Sequence, residues 1–349
     1  MKPALQARHR LAVLAAGLAL AGAARGAAPV PRAAEPARLA AHSLLIAIAA
    51  AGERLVAAGD RGIIVLSDDR GASWTQAATV PTQALLTGVC FADAQHGVAV
   101  GHDEAIIVTA DAGRTWQLTH YAPQAQRPLL DVWCGGGGRI IAVGAYGAYF
   151  TSSDNGATFR EDKFSAAARP RAVHPASKAV TAADEGATGP DYHLNRIVGT
   201  GARLYIAAEA GHLYRSDDGG AHWQELASPY EGSFFDVLPL GGDTLLAFGL
   251  RGNLYRSEDA GATWRRLDSG TQAMLDGGAT FGASGVAIVG LSGAVLVSHD
   301  GGHSFVLAQQ PDRSGLSAAL ALGEERLAAV GESGARVIAL DAAAGAGGR

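Results

Sequence analysis

The chain has 349 residues, 28 Lys+Arg against 33 Asp+Glu, a formal net charge of −5 and two cysteines. Its first 28 residues hold Lys2, Arg8, Arg10 and Arg25 and no acid, so the remainder stands at about −9, which argues against a nucleic-acid partner bound through phosphates. The eleven histidines show no metal-ligand spacing, the Gly135–Gly138 run lacks the Lys-Ser/Thr of a phosphate loop, and no catalytic serine elbow is present, so no metal or cofactor is expected.

Residues 1–28 read as a secretory signal peptide. Lys2, Arg8 and Arg10 precede the apolar run Leu11 to Ala24, and Ala24-Arg25-Gly26 offers small residues for cleavage near 24–28. That run is too short to span a bilayer, which takes about 20 residues, and no other stretch is long and apolar enough. The expected location is therefore the periplasm, with no membrane span left after signal removal. Residues 29–41, with three prolines, read as extended chain.

From residue 44 onward the chain repeats. An eight-residue box, S-x-D-x-G-x-[ST]-[WF], occurs at Ser67–Trp74, Thr109–Trp116, Ser152–Phe159, Ser216–Trp223, Ser257–Trp264 and Ser298–Phe305; the fourth copy carries His222 in place of Ser or Thr. Asp69, Asp111, Asp154, Asp218, Asp259 and Asp300 can each accept hydrogen bonds from their own turn, the glycine supplies a positive-φ position, and the aromatic buries a large ring. The chemistry of the box is used in closing its own hairpin, so these residues read as structural. Aromatic-to-aromatic steps are 42, 43, 64, 41 and 41 residues, a period of propeller blades or helical arrays. The flanking runs, such as Val98-Ala99-Val100 and Ala287-Ile288-Val289, are short and bounded by glycine, which favours strands.

Two further positions recur upstream of each box, glycine except for Glu104 and Ala208, giving V-G-x-x-G. The same frame finds a seventh unit at Ala328-Ala329-Val330-Gly331 and Gly334, with a degenerate box. The expected fold is all-β: one seven-bladed propeller over residues 29–341, made of four-stranded antiparallel blades, with 342–349 a disordered tail. The seventh unit stops after its third strand, so part of residues 29–41 is expected to pair with 335–340 as the strand that closes the ring, because bare sheet edges are a liability.

Aligning the first strands places Thr87, Asp131, Asn195, Asp236 and Asp276 at one repeat position, read as satisfying backbone groups of a neighbouring blade. Cys90 and Cys134 lie in first strands of successive repeats, offset by one position. Side chains alternate along a strand, so the two are expected on opposite faces as buried thiols. The step of 64 exceeds its neighbours by about 22 residues, and the excess, 161–191, reads as an inserted loop between blades 3 and 4.

The unit of a first strand, V-G-x-x-G and S-x-D-x-G-x-T-W resembles the photosystem II stability/assembly factor-like family of seven-bladed Asp-box (BNR-repeat) propellers, whose members also occur in non-photosynthetic bacteria. That resemblance implies an exported, non-enzymatic assembly factor holding a protein client or an envelope complex, with arginines contacting the client. The turns between second and third strands supply the candidate partner-binding residues Arg61, His102, Asp103, Tyr146, Glu209, Arg251 and Glu332, joined by Arg169 and Arg171 from the insertion. Arg127 and Arg313 are further arginines expected on the same face. The alternative is an Asp-box glycoside hydrolase, sialidase-like with Arg61, Arg251, Tyr146 and Glu209, or glucanase-like with paired carboxylates such as Asp103-Glu104 or the Asp131, Asp236 and Asp276 set. Against it, no F/Y-R-I-P segment is present.

Overall fold

A computed structural model describes residues 30–168 and 192–340. The signal segment, Arg169, Arg171, most of the insertion and the tail lie outside the described residues.

Seven antiparallel sheets follow one another along the chain. Each begins with an inner strand: Leu45–Ala51, Leu86–Phe91, Leu129–Cys134, Leu194–Thr200, Phe234–Gly241, Leu275–Phe281 and Leu316–Ala321. Second and third strands follow outward, then a short fourth strand after the box in blades 1 to 6. Seven apolar clusters fill the seven spaces between successive blades, the last joining Leu45, Ile48 and Val65 of blade 1 to Ala318, Ala328 and Val330 of blade 7. A sheet buried on both faces needs apolar residues at every position, which is why Val98-Ala99-Val100 and Ala287-Ile288-Val289 are unbroken apolar runs. Among the described residues no helix is long and apolar enough to cross a membrane.

The box closes as its residue types dictate. In blade 5 the Ser257 and Thr263 hydroxyls and the Thr263 N–H all donate to Asp259, while Ser257 Oγ accepts from Gly261 N–H at 2.8 Å. The same bonds recur in the other boxes, and in the fourth the His222 ring nitrogen takes the hydroxyl's place 2.6 Å from Asp218. Trp116 and Trp223 are buried, and the other four box aromatics are half-buried.

Four expectations need correction. Blade 7 has three strands, ending at Gly334–Ala339, and no described N-terminal residue forms a strand on its edge. Residues 33–37 run beside blade 1 instead: Ala34 N–H donates to Val80, Ala37 N–H to the Gln76 side chain, and the Gln76 and Gln83 amides donate to Glu35 and Ala33 carbonyls. The ring closes by face packing of blade 7 on blade 1. The insertion is not all loop, since Ala166–Ala167 forms a fifth strand, parallel to Trp223–Gln224 on the outer edge of blade 4.

Cys90 and Cys134 form a disulfide. The offset by one does put them on opposite faces of their own sheets, with Cys90 facing forward from blade 2 and Cys134 facing back from blade 3. Because blades stack face to face, opposite faces are the ones that meet.

The inner strands are also out of the expected frame. Each carries a bulge after its buried first anchor (Leu45, Leu86, Leu129, Leu194, Phe234, Leu275 or Leu316), seen as a break in register. Thr87, Asn195 and Asp276 occupy the bulge, whereas Asp131 and Asp236 lie one residue further on. Two adjacent positions therefore line the inner rim, where the sequence frame merged them into one.

Candidate protein-binding face

The turn between second and third strands has one geometry in blades 1 to 6. The N–H after the second strand donates to the carbonyl just before the inner-strand anchor, as in Asp60 to Leu44, His102 to Leu85, Ala145 to Pro128 and Leu291 to Met274. The approach favours glycine at the strand end, since a Cβ at Gly59 would sit 2.1 Å from the Leu44 carbonyl oxygen and one at Gly290 2.1 Å from that of Met274, and blade 4 alone among blades 1 to 6 carries alanine there, Ala208. The next residue but one turns left-handed and stands at the tip: Arg61, Asp103, Tyr146, Ala210, Arg251 and Ser292, with φ of 52 to 60°. Arg61, His102, Asp103, Tyr146, Glu209 and Arg251 thus sit on one end of the ring. Glu332 occupies the tighter two-residue hairpin of blade 7.

Most acids on this end are bonded within the fold. Glu104, buried where the six other blades have glycine, binds Arg127 at 2.7 Å and His120 at 3.2 Å; Arg127 also meets Glu161 at 2.8 Å. Asp103 accepts from the Tyr121 hydroxyl, which burial and the nearby carboxylate push above the usual phenol range. Glu209 accepts from His193 N–H at 2.9 Å, and Glu332 from Gly315 N–H at 2.8 Å. Arg127 is consequently an internal buttress. Arg251 and Arg313 are exposed and make no ion pair among the described residues, and Arg61 meets only Asp60, at 3.6 Å. The same end also exposes Tyr146, 56% exposed and edge-on to His193, together with Leu250 and Leu291. Arg251 also lines a groove of about 620 Å³ with Arg266, Thr271 and Gln272.

The residues of the sialidase-like alternative are not assembled. Arg61, Tyr146, Glu209 and Arg251 stand on four different blades, and only Tyr146 and Glu209 share a neighbour, His193.

The inner rim stitches blade to blade. Thr87 donates to the Leu129 carbonyl and Asn195 to that of Phe234, while Asp131 accepts from Ile197 N–H and Asp236 from Gly278 N–H. Arg196, missed because the sequence frame put Asn195 in its place, sits between Asp131 and Asp236 with Nε 3.5 Å from each. Asp276 has neither a cation nor an N–H partner among the described residues. Burial first, and then repulsion from Asp236, push it up to about 7. Asp236 is pushed up to about 6 by burial, against the pull of Arg196.

A cavity of about 760 Å³ lies elsewhere, between the outer parts of blades 3 and 4, lined by Arg139, Tyr149, Asp162, Lys163 and Trp223. Sequence spacing gave no sign of it, since its walls come from two blades.

No protein-family model matches the chain, and no curated protein matches it in sequence. Solved structures do match. YCF48 bound to a D1 peptide is similar at 15% identity and a TM-score of 0.65, covering 88% of this chain and 98% of that one. YCF48 from Cyanidioschyzon merolae is similar at 15% identity and a TM-score of 0.62, covering 86% and 96%. A GH74 xyloglucanase from Xanthomonas campestris is similar at 14% identity and a TM-score of 0.61, covering 85% of this chain and 52% of that one. At these identities the likeness is one of fold: a seven-bladed propeller.

Proposed function

We propose that this chain is an exported, non-enzymatic binding or assembly propeller, photosystem II assembly factor-like, which holds a protein client or an envelope complex through the turn face. The observation that carries the reading is the division of charge on that face. Most of its acids serve the fold, whereas Arg251 and Arg313 make no ion pair among the described residues, Arg61 meets only Asp60, and the same face exposes Tyr146, Leu250 and Leu291. Exposed arginine interleaved with aromatic and aliphatic side chains is the composition of protein interfaces. A similar fold, YCF48, has been solved with a peptide bound. Export is supported by the basic-then-apolar N-terminus and by the Cys90–Cys134 disulfide, which persists in oxidising compartments.

The test is crosslinking and capture from the cell envelope with wild type and with Arg61→Glu/Arg251→Glu. Loss of the wild-type set in the variant is expected; recovery of the same set from both ends this reading.

A glycoside hydrolase is the second reading. It is favoured by the GH74 likeness and by two inner-rim carboxyls, Asp236 and Asp276, held above the usual range as a general acid requires. Turnover of xyloglucan or a fluorogenic sialoside, abolished by Asp276→Asn, would replace the first reading with this one.

A further inference from the structure

Among the described residues, blade 7 has no strand on the outer edge that every other blade covers. Its sheet ends at Gly334–Ala339, and no described residue pairs with the outer side of that strand. At the boundary of blades 7 and 1 a Cβ at Gly71 would sit 3.0 Å from Val337, on the third strand of blade 7. Beside it lies a cavity of about 390 Å³, walled by Trp74, Ala335 and residues 37–42. The Trp74 indole N–H, though buried, has no hydrogen-bond partner among the described residues. Val337 and Leu39, 37% and 68% exposed, flank this gap and are two of the seven large apolar side chains exposed among the described residues.

We propose that this edge is a strand-addition site. Its occupant is an extended segment of a partner protein, about four residues long, with one bulky apolar side chain seated in the cavity beside Trp74. An unpaired strand offers a row of free backbone donors and acceptors that takes such a segment by β-augmentation. The length follows from the fourth strands of the other blades, which run two to four residues.

Neither end of this chain suits the position. The N-terminal segment is committed to blade 1 through Val80, Gln76 and Gln83. In the six boxed blades the fourth strand begins seven or eight residues after the box Ser or Thr. Counted from Ala339, that place falls on Ala346-Gly347-Gly348, and glycine is a poor strand former. A second copy is disfavoured by area, because pairing one six-residue edge buries far less than the roughly 1,200 Å² a stable dimer needs. A client already held on the turn face does not depend on the edge alone, since the second contact is then intramolecular. The proposal therefore rests on the protein-client reading.

The test is hydrogen exchange across residues 334–339 of the protein, with and without a synthetic peptide copying Ser298–Gln309, the box and fourth strand of blade 6. Exchange is expected to slow at least tenfold with peptide. The protection should be lost with a Leu307→Pro peptide and weakened in Val337→Lys or, should that variant fold poorly, Ala339→Lys. No slowing at saturating peptide overturns the proposal. So does slow exchange in the free monomer, which means the chain covers its own edge, or a dimer by sedimentation, which means a second copy does. Arg61→Glu/Arg251→Glu should keep the peptide effect while losing the client, so the edge and the turn face fail separately.

Discussion

Cys90 and Cys134 join the inner strands of blades 2 and 3, with Cα atoms 5.6 Å apart and a sequence separation of 44. Closing a loop of that length restricts the unfolded chain by about 4 kcal/mol on the chain-entropy account. Cys90→Ser/Cys134→Ser, or addition of reductant, is expected to lower unfolding stability by about 2–4 kcal/mol. Coincident denaturation curves with and without reductant would contradict this.

The inner rim makes stability depend on pH in an unusual direction. Asp236 and Asp276 have folded-state pKa values raised to about 6 and about 7. Their contribution is complete below about pH 4, where the unfolded carboxyls are also neutral, and is lost as pH rises through 6 and 7. Asp276 is half-buried, so solvent screens part of the effect. Asp276→Asn is expected to raise stability at pH 8 by about 1–2 kcal/mol and to leave it nearly unchanged at pH 4.5. Urea midpoints at the two pH values decide it.

The boxes act with the opposite sign. Hydrogen bonds from Ser73 and Thr158 hold Asp69 and Asp154 down to about 2, and Asp218 and Asp300 are lowered as well. That stability is present above about pH 4 and is lost as pH falls towards 2. Together the two sets place the stability maximum at mildly acidic pH, near 4–6, which a melting series from pH 2 to 9 would locate. Asp259→Ala removes three accepted bonds and is expected to cost roughly 1–2 kcal/mol without altering client capture.

Gly290→Ala tests the close approach at the turn face. Its φ of −166° is open to any residue, so only the 2.1 Å clash with the Met274 carbonyl oxygen penalises the substitution. A loss of about 2–3 kcal/mol is expected. Ala208→Gly in blade 4, where the position already carries a Cβ, should cost under 1 kcal/mol. Equal losses at the two sites would show that the approach is not what selects glycine.

The sequence made the ring legible because the box and V-G-x-x-G are local devices: Asp259 bonds residues within four positions of itself, and Gly290 marks a strand end. What it hid were relations between blades. The bulges at Asn195 and Asp276 shift the side-chain register by one, so aligning the first strands merged two rim positions and passed over Arg196. The Cys90–Cys134 bond was missed because alternation tells which face of a sheet a residue occupies, not what that face meets. The turn-face residues were placed by the repeat, but the use of Glu104 and Arg127 by the fold depends on His120 and Glu161, which have no counterpart in the repeat pattern.

The rim bonds from Thr87, Asp131, Asn195 and Asp236 run in one sense around the ring, from each blade to its successor, beginning at blade 2 and ending at blade 6. Two through six therefore behave as a laced belt, with a covalent rivet at one end. The seam of blades 7 and 1 is the buckle, where among the described residues apolar packing joins the two sheets without a rim bond. A rigid belt with a weak buckle confines breathing to one place, so proteolytic nicking and the slowest-to-anneal step of refolding should both concentrate there.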